Sequence, residues 1–222
     1  MIKAKIKEIF SSIQGEGPYI GYKQLFIRFC NCNLKCNYCD TDFASDKDFA
    51  EYDAISLAQE VNKYNNINSI SLTGGEPLLS VEFLKEFLPL VNKKIYLETN
   101  ATLAEKFIEI KQYIDIVAAD IKLESSTGIK NTFELHDKFF ATCKGIEAFA
   151  KIVFNKYITD EEIIKSCELA KKYNIELILQ PEMNDSNLSV DSVFCERILN
   201  RFLARYDNVR LIPQTHKFMN IR

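Results

Sequence analysis

Short β-branched runs alternate with amphipathic segments along almost the whole chain, and no other feature restricts the possible folds as much. The runs Gln24–Phe29, Ser69–Leu72, Ile95–Glu98, Ile116–Ala119, Ala150–Phe154, Ile175–Leu179 and Val209–Ile212 read as strands. Between them Ile55–Tyr64, Val81–Val91, Ala104–Tyr113, Asp160–Tyr173 and Val190–Tyr206 have the spacing of helices with one apolar face. Thr159, followed three residues on by Glu162, forms a capping box that marks the start of the fourth helix. Strand and helix in repeated alternation build a parallel neighbour at each return, so the expected class is α/β with a mostly parallel sheet. No low-complexity stretch, linker or close repeat divides residues 1–222, which are expected to form a single domain.

Nearly every strand candidate ends in polar residues. The series is Thr73-Gly74-Gly75-Glu76-Pro77, Glu98-Thr99-Asn100, Asp120-Ile121-Lys122, Asn155-Lys156, Gln180-Pro181-Glu182 and Gln214-Thr215-His216. In barrels and open α/β sheets these ends converge on one face, where ligands bind. Composition narrows the ligand. With 28 basic and 31 acidic residues the net charge is −3, too balanced for a protein held to nucleic acid by phosphate contacts. No apolar stretch reaches the roughly 18 residues of a membrane span, and MIKAKIKEIF lacks the apolar region of a signal peptide, so a cytoplasmic protein is expected.

A reducing compartment would keep most of the seven cysteines as thiols. Cys143, Cys167 and Cys195 lie in segments with helical spacing and read as small buried hydrophobes. Cys30, Cys32, Cys36 and Cys39 crowd into a few residues after the first strand candidate, and the last three form a CxxxCxxC motif. Thiolates so placed suit zinc or an iron–sulfur cluster. Structural zinc wants four closed ligands, and Cys30, the one available fourth, stands only two residues before Cys32. A 4Fe-4S cubane held by three cysteines leaves one iron open for a small molecule.

CxxxCxxC, with Tyr38 before the third cysteine and Gly74-Gly75-Glu76-Pro77 after the second strand candidate, resembles the radical S-adenosylmethionine (SAM) enzymes. Ser12-Ile13-Gln14-Gly15-Glu16-Gly17, Phe26-Ile27-Arg28-Phe29, Cys39-Asp40-Thr41 and the closing Gln214-Thr215-His216-Lys217-Phe218 narrow the resemblance to the 7-carboxy-7-deazaguanine synthases of the queuosine and 7-deazapurine pathway, from about Ile9 to Arg222. The resemblance implies a partial, trimmed (βα) radical SAM barrel. It also implies ring contraction of 6-carboxy-5,6,7,8-tetrahydropterin to 7-carboxy-7-deazaguanine with loss of ammonia, a lyase reaction started by hydrogen abstraction at C6 and followed by regeneration of SAM. Cys32, Cys36 and Cys39 would bind the 4Fe-4S cluster, and Tyr38, Asp40, Gly75, Glu76, Asp120, Lys122 and Gln180 would line SAM. Ile13, Gln14, Gly15, Arg28, Thr73, His216 and the Arg222 carboxylate would contact the pterin, and Thr41 would ligate Mg2+. No side chain is assigned the chemistry, which the resemblance gives to the cluster and the SAM radical. An electron donor such as flavodoxin or ferredoxin and a homodimer are also implied, and 124–135 carries no assignment.

Read by their own chemistry, several of these residues agree in kind. Arg28 can hold a carboxylate in bidentate fashion or serve as a surface ion pair. Gln14 offers the donor and acceptor that an aminopyrimidinone edge requires. Thr41 suits magnesium or a turn, and His216 a ligand or a core position. A glycyl-radical activase would share the cysteines and GGEP but not the SIQGEG and QTHKF segments, and a zinc- or cluster-binding adaptor would leave the polar strand ends unexplained.

Overall fold

The computed structural model describes residues 2–39 and 48–221. In chain order its strands are β1 (Lys3–Ile13), β2 (Lys23–Phe29), β3 (Ala50–Asp53), β4 (Ser69–Gly74), β5 (Ile95–Thr99), β6 (Ile116–Asp120), β7 (Glu147–Phe154), β8 (Glu176–Pro181), the short pair β9 (Met183–Asn184) and β10 (Asn187–Leu188), and β11 (Val209–Leu211). The helices are α1 (Ala54–Val61), α2 (Val81–Phe87), α3 (Ala104–Ile110), α4 (Glu124–Thr127), α5 (Phe133–Thr142), α6 (Asp160–Tyr173), α7 (Ser192–Leu203) and α8 (Thr215–Phe218). Among the described residues one sheet runs in the order β11-β8-β7-β6-β5-β4-β2-β1-β3. From β11 to β2 every pairing is parallel, and β1 then pairs antiparallel with both β2 and β3. No described pairing joins β3 to β11, so the barrel is a partial one.

The two faces of the sheet follow from strand alternation. One carries Ile27, Leu72, Leu97, Val117, Ile152 and Leu179, all buried with the apolar stripes of the helices in the main core. The other begins apolar and turns polar within two residues on each strand. Tyr96, Ala118, Phe149 and Ile178 form a small second core with Ile116, and the next residues on that face are Glu98, Asp120, Lys151 and Gln180. Tyr19 covers this floor, its ring 5.5 Å from Tyr96 and 6.4 Å from Phe149.

The polar face of the sheet is walled by two segments distant in sequence. Gln14 N donates to Tyr22 O (2.8 Å) and Gly21 N to Gln14 O (2.9 Å), which folds 14–22 into a loop. Thr215 N and Oγ1 both donate to Gly15 O (2.9 and 3.0 Å), docking the 212–218 segment upon it. Gly15 permits this approach, because a Cβ there would lie 2.4 Å from His216 Nδ1.

All seven strand candidates pair in the sheet. The Val81–Val91 helix stops as an α-helix at Phe87 and continues as a 3-10 turn over Leu88–Leu90, because Pro89 has no N–H to give and its ring crowds the preceding turn. Cys143, Cys167 and Cys195 are buried, as their helical spacing indicates. No helix among the described residues is long and apolar enough to cross a membrane.

Candidate active site

A cavity of about 510 Å³ opens where the parallel strands end, a size suited to small ligands. It brings together most residues singled out from the sequence. Ile13, Gln14, Gly15 and His216 line it from the wall, and Arg28, Thr73 and Gly75 from β2 and the end of β4. Cys32, Cys36, Tyr38 and Cys39 border it from the loop after β2, with Lys122 beside Tyr38 and Asp120 and Gln180 on the strand ends beyond. Asp40, Thr41 and Arg222 lie outside the described residues.

Glu76 does not line the cavity. Its carboxylate is buried and accepts from Leu78 N (3.1 Å), Thr99 Oγ1 (2.9 Å) and Asn100 N (2.7 Å), tying the GGEP turn to the end of β5. Burial outweighs those hydrogen bonds and pushes its pKa up to about 7. The glycines beside it serve the cysteine loop. Gly75 N donates to Phe29 O (3.0 Å) and Glu76 N to Asn31 O (2.8 Å). A Cβ on Gly75 would fall 1.8 Å from Asn31 O, so only glycine lets the loop lie on this turn.

Further supports reach the loop from β5 and β6. Asn100 Nδ2 donates to Asn33 Oδ1 (2.8 Å) and approaches Cys32 Sγ (3.8 Å), while Asn37 N donates to Thr127 O (3.0 Å) in α4. The segment that carries no sequence signature therefore backs the cysteine motif. Cys32 and Cys36 are half-buried, and burial raises both thiols; Cys39 is exposed. Cys30 instead continues the strand, its N donating to Lys5 O (3.0 Å). Among the described residues no three His, Cys, Asp or Glu side chains gather around a point as a single ion requires.

From Tyr38 a line of charges crosses the cavity floor. Lys122 Nζ lies 3.1 Å from Tyr38 Oη and 2.8 Å from Asp120 Oδ2. Asp120 Oδ1 lies 3.5 Å from Lys151 Nζ, which is 2.5 Å from Glu16 Oε2, and Glu16 Oε1 accepts from Gln214 Nε2 (2.7 Å). Burial alone would raise Glu16, but the Lys151 ammonium and the Gln214 hydrogen bond hold it at about 2. The same contest keeps Asp120 below its usual value, with Lys122 and Lys151 overriding burial. Both lysines are driven well above the ordinary range by the carboxylates, against their burial. Two cations thus balance two anions.

A second network surrounds Glu98. Gln14 Nε2 and Ser71 Oγ donate to its Oε1 (3.0 and 3.2 Å), and Thr73 Oγ1 to its Oε2 (2.8 Å). Gln14 also bonds Gln24 Oε1 and receives Glu16 N, so its amide acts as a strut that orients Glu98. Arg28 pairs across β1–β2 with Glu8 through Nε (2.7 Å), beside the stacked rings of Phe10 and Phe26.

Two buried acceptors of residues on this cavity have no hydrogen-bond partner, Gln180 Oε1 and Asp120 Oδ1, the latter held only by its ion pair with Lys151 at 3.5 Å. Unsatisfied buried oxygens are rare in native folds, and these two belong to residues that line the cavity. With three thiols and the polar side chains of Tyr38, Asp120, Lys122 and Gln180 on one cavity, the residues fit a cysteine-held cluster and a nucleoside ligand of the SAM kind.

Sequence reasoning missed Glu16, Lys151 and His136. Lys151 carried a usable signal, a lone charge inside the apolar run Phe149–Phe154. His136 is wholly buried; its Nε2 accepts from Lys122 N (3.0 Å) and its Nδ1 lies 3.1 Å from Ala101 O, so one ring joins the ends of β5 and β6.

A half-open parallel sheet with a three-cysteine loop at the end of its first parallel strand defines a radical SAM enzyme, and a family model described as the Radical SAM superfamily matches residues 26–189. The curated 7-carboxy-7-deazaguanine synthase of Geobacter sulfurreducens is 36% identical over 97% of both chains, and that of Archaeoglobus fulgidus is 33% identical over the full length of both. The chain belongs to the 7-carboxy-7-deazaguanine synthase family. The crystal structure of QueE from Escherichia coli has the same fold, with a TM-score of 0.61 at 19% identity, covering 96% of this chain and 94% of that one.

Proposed function

We propose that the chain converts 6-carboxy-5,6,7,8-tetrahydropterin to 7-carboxy-7-deazaguanine with loss of ammonia, in queuosine and 7-deazapurine biosynthesis. The observation that carries this reading is one cavity bordered at one end by the CxxxCxxC thiols and at the other by the docked SIQGEG and QTHKF segments. Cys32, Cys36 and Cys39 would hold a 4Fe-4S cluster, which with SAM would supply a 5′-deoxyadenosyl radical. Tyr38, Gly75, Asp120, Lys122 and Gln180 border the SAM end.

The pterin takes the opposite end, between Ile13, Gly15, Thr73 and His216. Arg28 receives its carboxylate with its terminal nitrogens. Glu98, fixed by Gln14, Ser71 and Thr73, is an acceptor suited to the guanidine-like edge. Magnesium at Thr41, a flavodoxin or ferredoxin donor, a homodimer and a cytoplasmic setting complete the reading; each rests on the family resemblance.

The test is anaerobic incubation of reconstituted protein with SAM, reductant and the carboxypterin, followed by mass analysis. The expected product is the deazaguanine acid, absent from Cys36→Ser, which loses the cluster, and retained in Cys30→Ser. Intact iron and SAM cleavage without that product would overturn the substrate assignment.

A further inference from the structure

Lys151 stands in the middle of β7 between buried Ala150 and Ile152 and is only 6% exposed. An ammonium loses its hydration in such a place and persists only where carboxylates replace the lost water. Glu16 and Asp120 do so, at 2.5 and 3.5 Å, and they belong to different parts of the molecule. Glu16 sits in the wall that carries Gln14 and Gly15 and takes Gln214 with its other oxygen. Asp120 ends β6 and takes Lys122 with its other oxygen.

We propose that Lys151 is a positioning residue that sets the register between the pterin-binding wall and the SAM-binding end of β6. The role rests on the two subsites assigned above. A wall released from Lys151 still leaves the cysteine loop and its supports intact, because Asn31, Gly75, Asn100 and Thr127 do not touch it. SAM cleavage then continues while the pterin sits off line. A misplacement of about 1 Å can cost on the order of a hundredfold in rate.

Two variants separate this from a general structural role: Lys151→Met, which keeps the length and removes the charge, and Lys151→Arg, which keeps the charge. Iron content should stay within about twofold of wild type in Lys151→Met, and 5′-deoxyadenosine formed without pterin should fall far less than deazaguanine does. Deazaguanine formed per 5′-deoxyadenosine should fall at least tenfold, with partial recovery in Lys151→Arg. In the cluster-free protein the amides of Gln14, Gly21 and Thr215, which close the wall, should exchange at least tenfold faster.

Glu16→Gln should reproduce both effects, and the double variant should be no worse than either single one, as coupled partners require. If Lys151→Met fails to fold, Glu16→Gln alone decides on the same ratio and exchange measurements. Equal losses of SAM cleavage and product, or an unchanged ratio with unchanged exchange, would overturn the proposal. Should wild type make no deazaguanine, the pterin reading fails, and the exchange measurement, which needs no turnover, still judges the Lys151 link.

Discussion

Arg28 and His136 show how a single side chain can be assigned from what it touches. Glu8 holds the Arg28 Nε, and the guanidinium lies 5.9 Å from the centre of the Phe10 ring on the border of the cavity, with its terminal nitrogens left for a ligand. Arg28→Ala should raise the pterin KM ten- to a hundredfold, the worth of a charge-assisted hydrogen bond of roughly 1.5–3 kcal/mol, while SAM cleavage without pterin stays near wild type. Equal loss of both would place Arg28 in the framework. For His136, burial is the first cause that lowers its pKa to about 4, and the nearby Lys122 ammonium adds to it against Asp120. The folded pKa lies below the unfolded one, so the unfolded chain binds the extra proton. Stability is fully present above about pH 6.5 and drains away as pH falls toward 4. At pH 5 this group should cost about 2 kcal/mol relative to pH 7.5. Urea unfolding of wild type and His136→Gln at both pH values checks it, because the variant should lack this component. Glu76, whose raised pKa acts in the opposite sense, is common to both proteins and cancels in the comparison.

Among the elements, the turn after β4 carries the sharpest prediction. Gly75→Ala puts a methyl into Asn31 O and must displace either the GGEP turn or the cysteine loop. Iron bound after anaerobic reconstitution should fall by more than half with the far-ultraviolet circular dichroism preserved; full iron occupancy would show that the two backbones can separate at no cost. The elements that bear the site were legible because each is announced within a few residues. Alternation marks the strands, Thr159 and Glu162 mark α6 through a capping box that the structure closes in both directions, and the cysteine spacing is local. β1 escaped notice although Lys3, Lys5 and Lys7 alternate with Ala4 and buried Ile6. α5 starts without a side-chain cap, and the β9–β10 hairpin has strands of two residues, too short for any period to register. The same rule holds within the site. Cys32, Tyr38 and Gly75 sit in compact motifs, whereas Lys151 gains meaning only from Glu16, 135 residues away, and no local pattern encodes that meeting.

At the scale of the whole molecule, the cavity exists because two remote segments close over the polar face of a partial barrel. A ligand that touches both the wall and the sheet must hold them together. The carboxypterin at 100 times its Kd should add about 2.7 kcal/mol of stability to wild type. In a chain of 222 residues that corresponds to a rise in Tm of roughly 5–10 °C. Arg28→Ala should need proportionately more ligand for the same rise in a thermal-shift titration, and a Tm indifferent to the pterin would mean that it does not bridge wall and sheet.

The contact between Gly15 and Thr215 spans 200 residues, whereas the strand ends and helices that support the cysteine loop are all encoded before Cys143. The supports of the cysteine loop close over fewer than a hundred residues, from Asn31–Glu76 to Asn37–Thr127. Loop-closure entropy must be met before so distant a contact as Gly15–Thr215 forms, so the wall is the part of the cavity that costs most to order and the cysteine support the part most locally encoded.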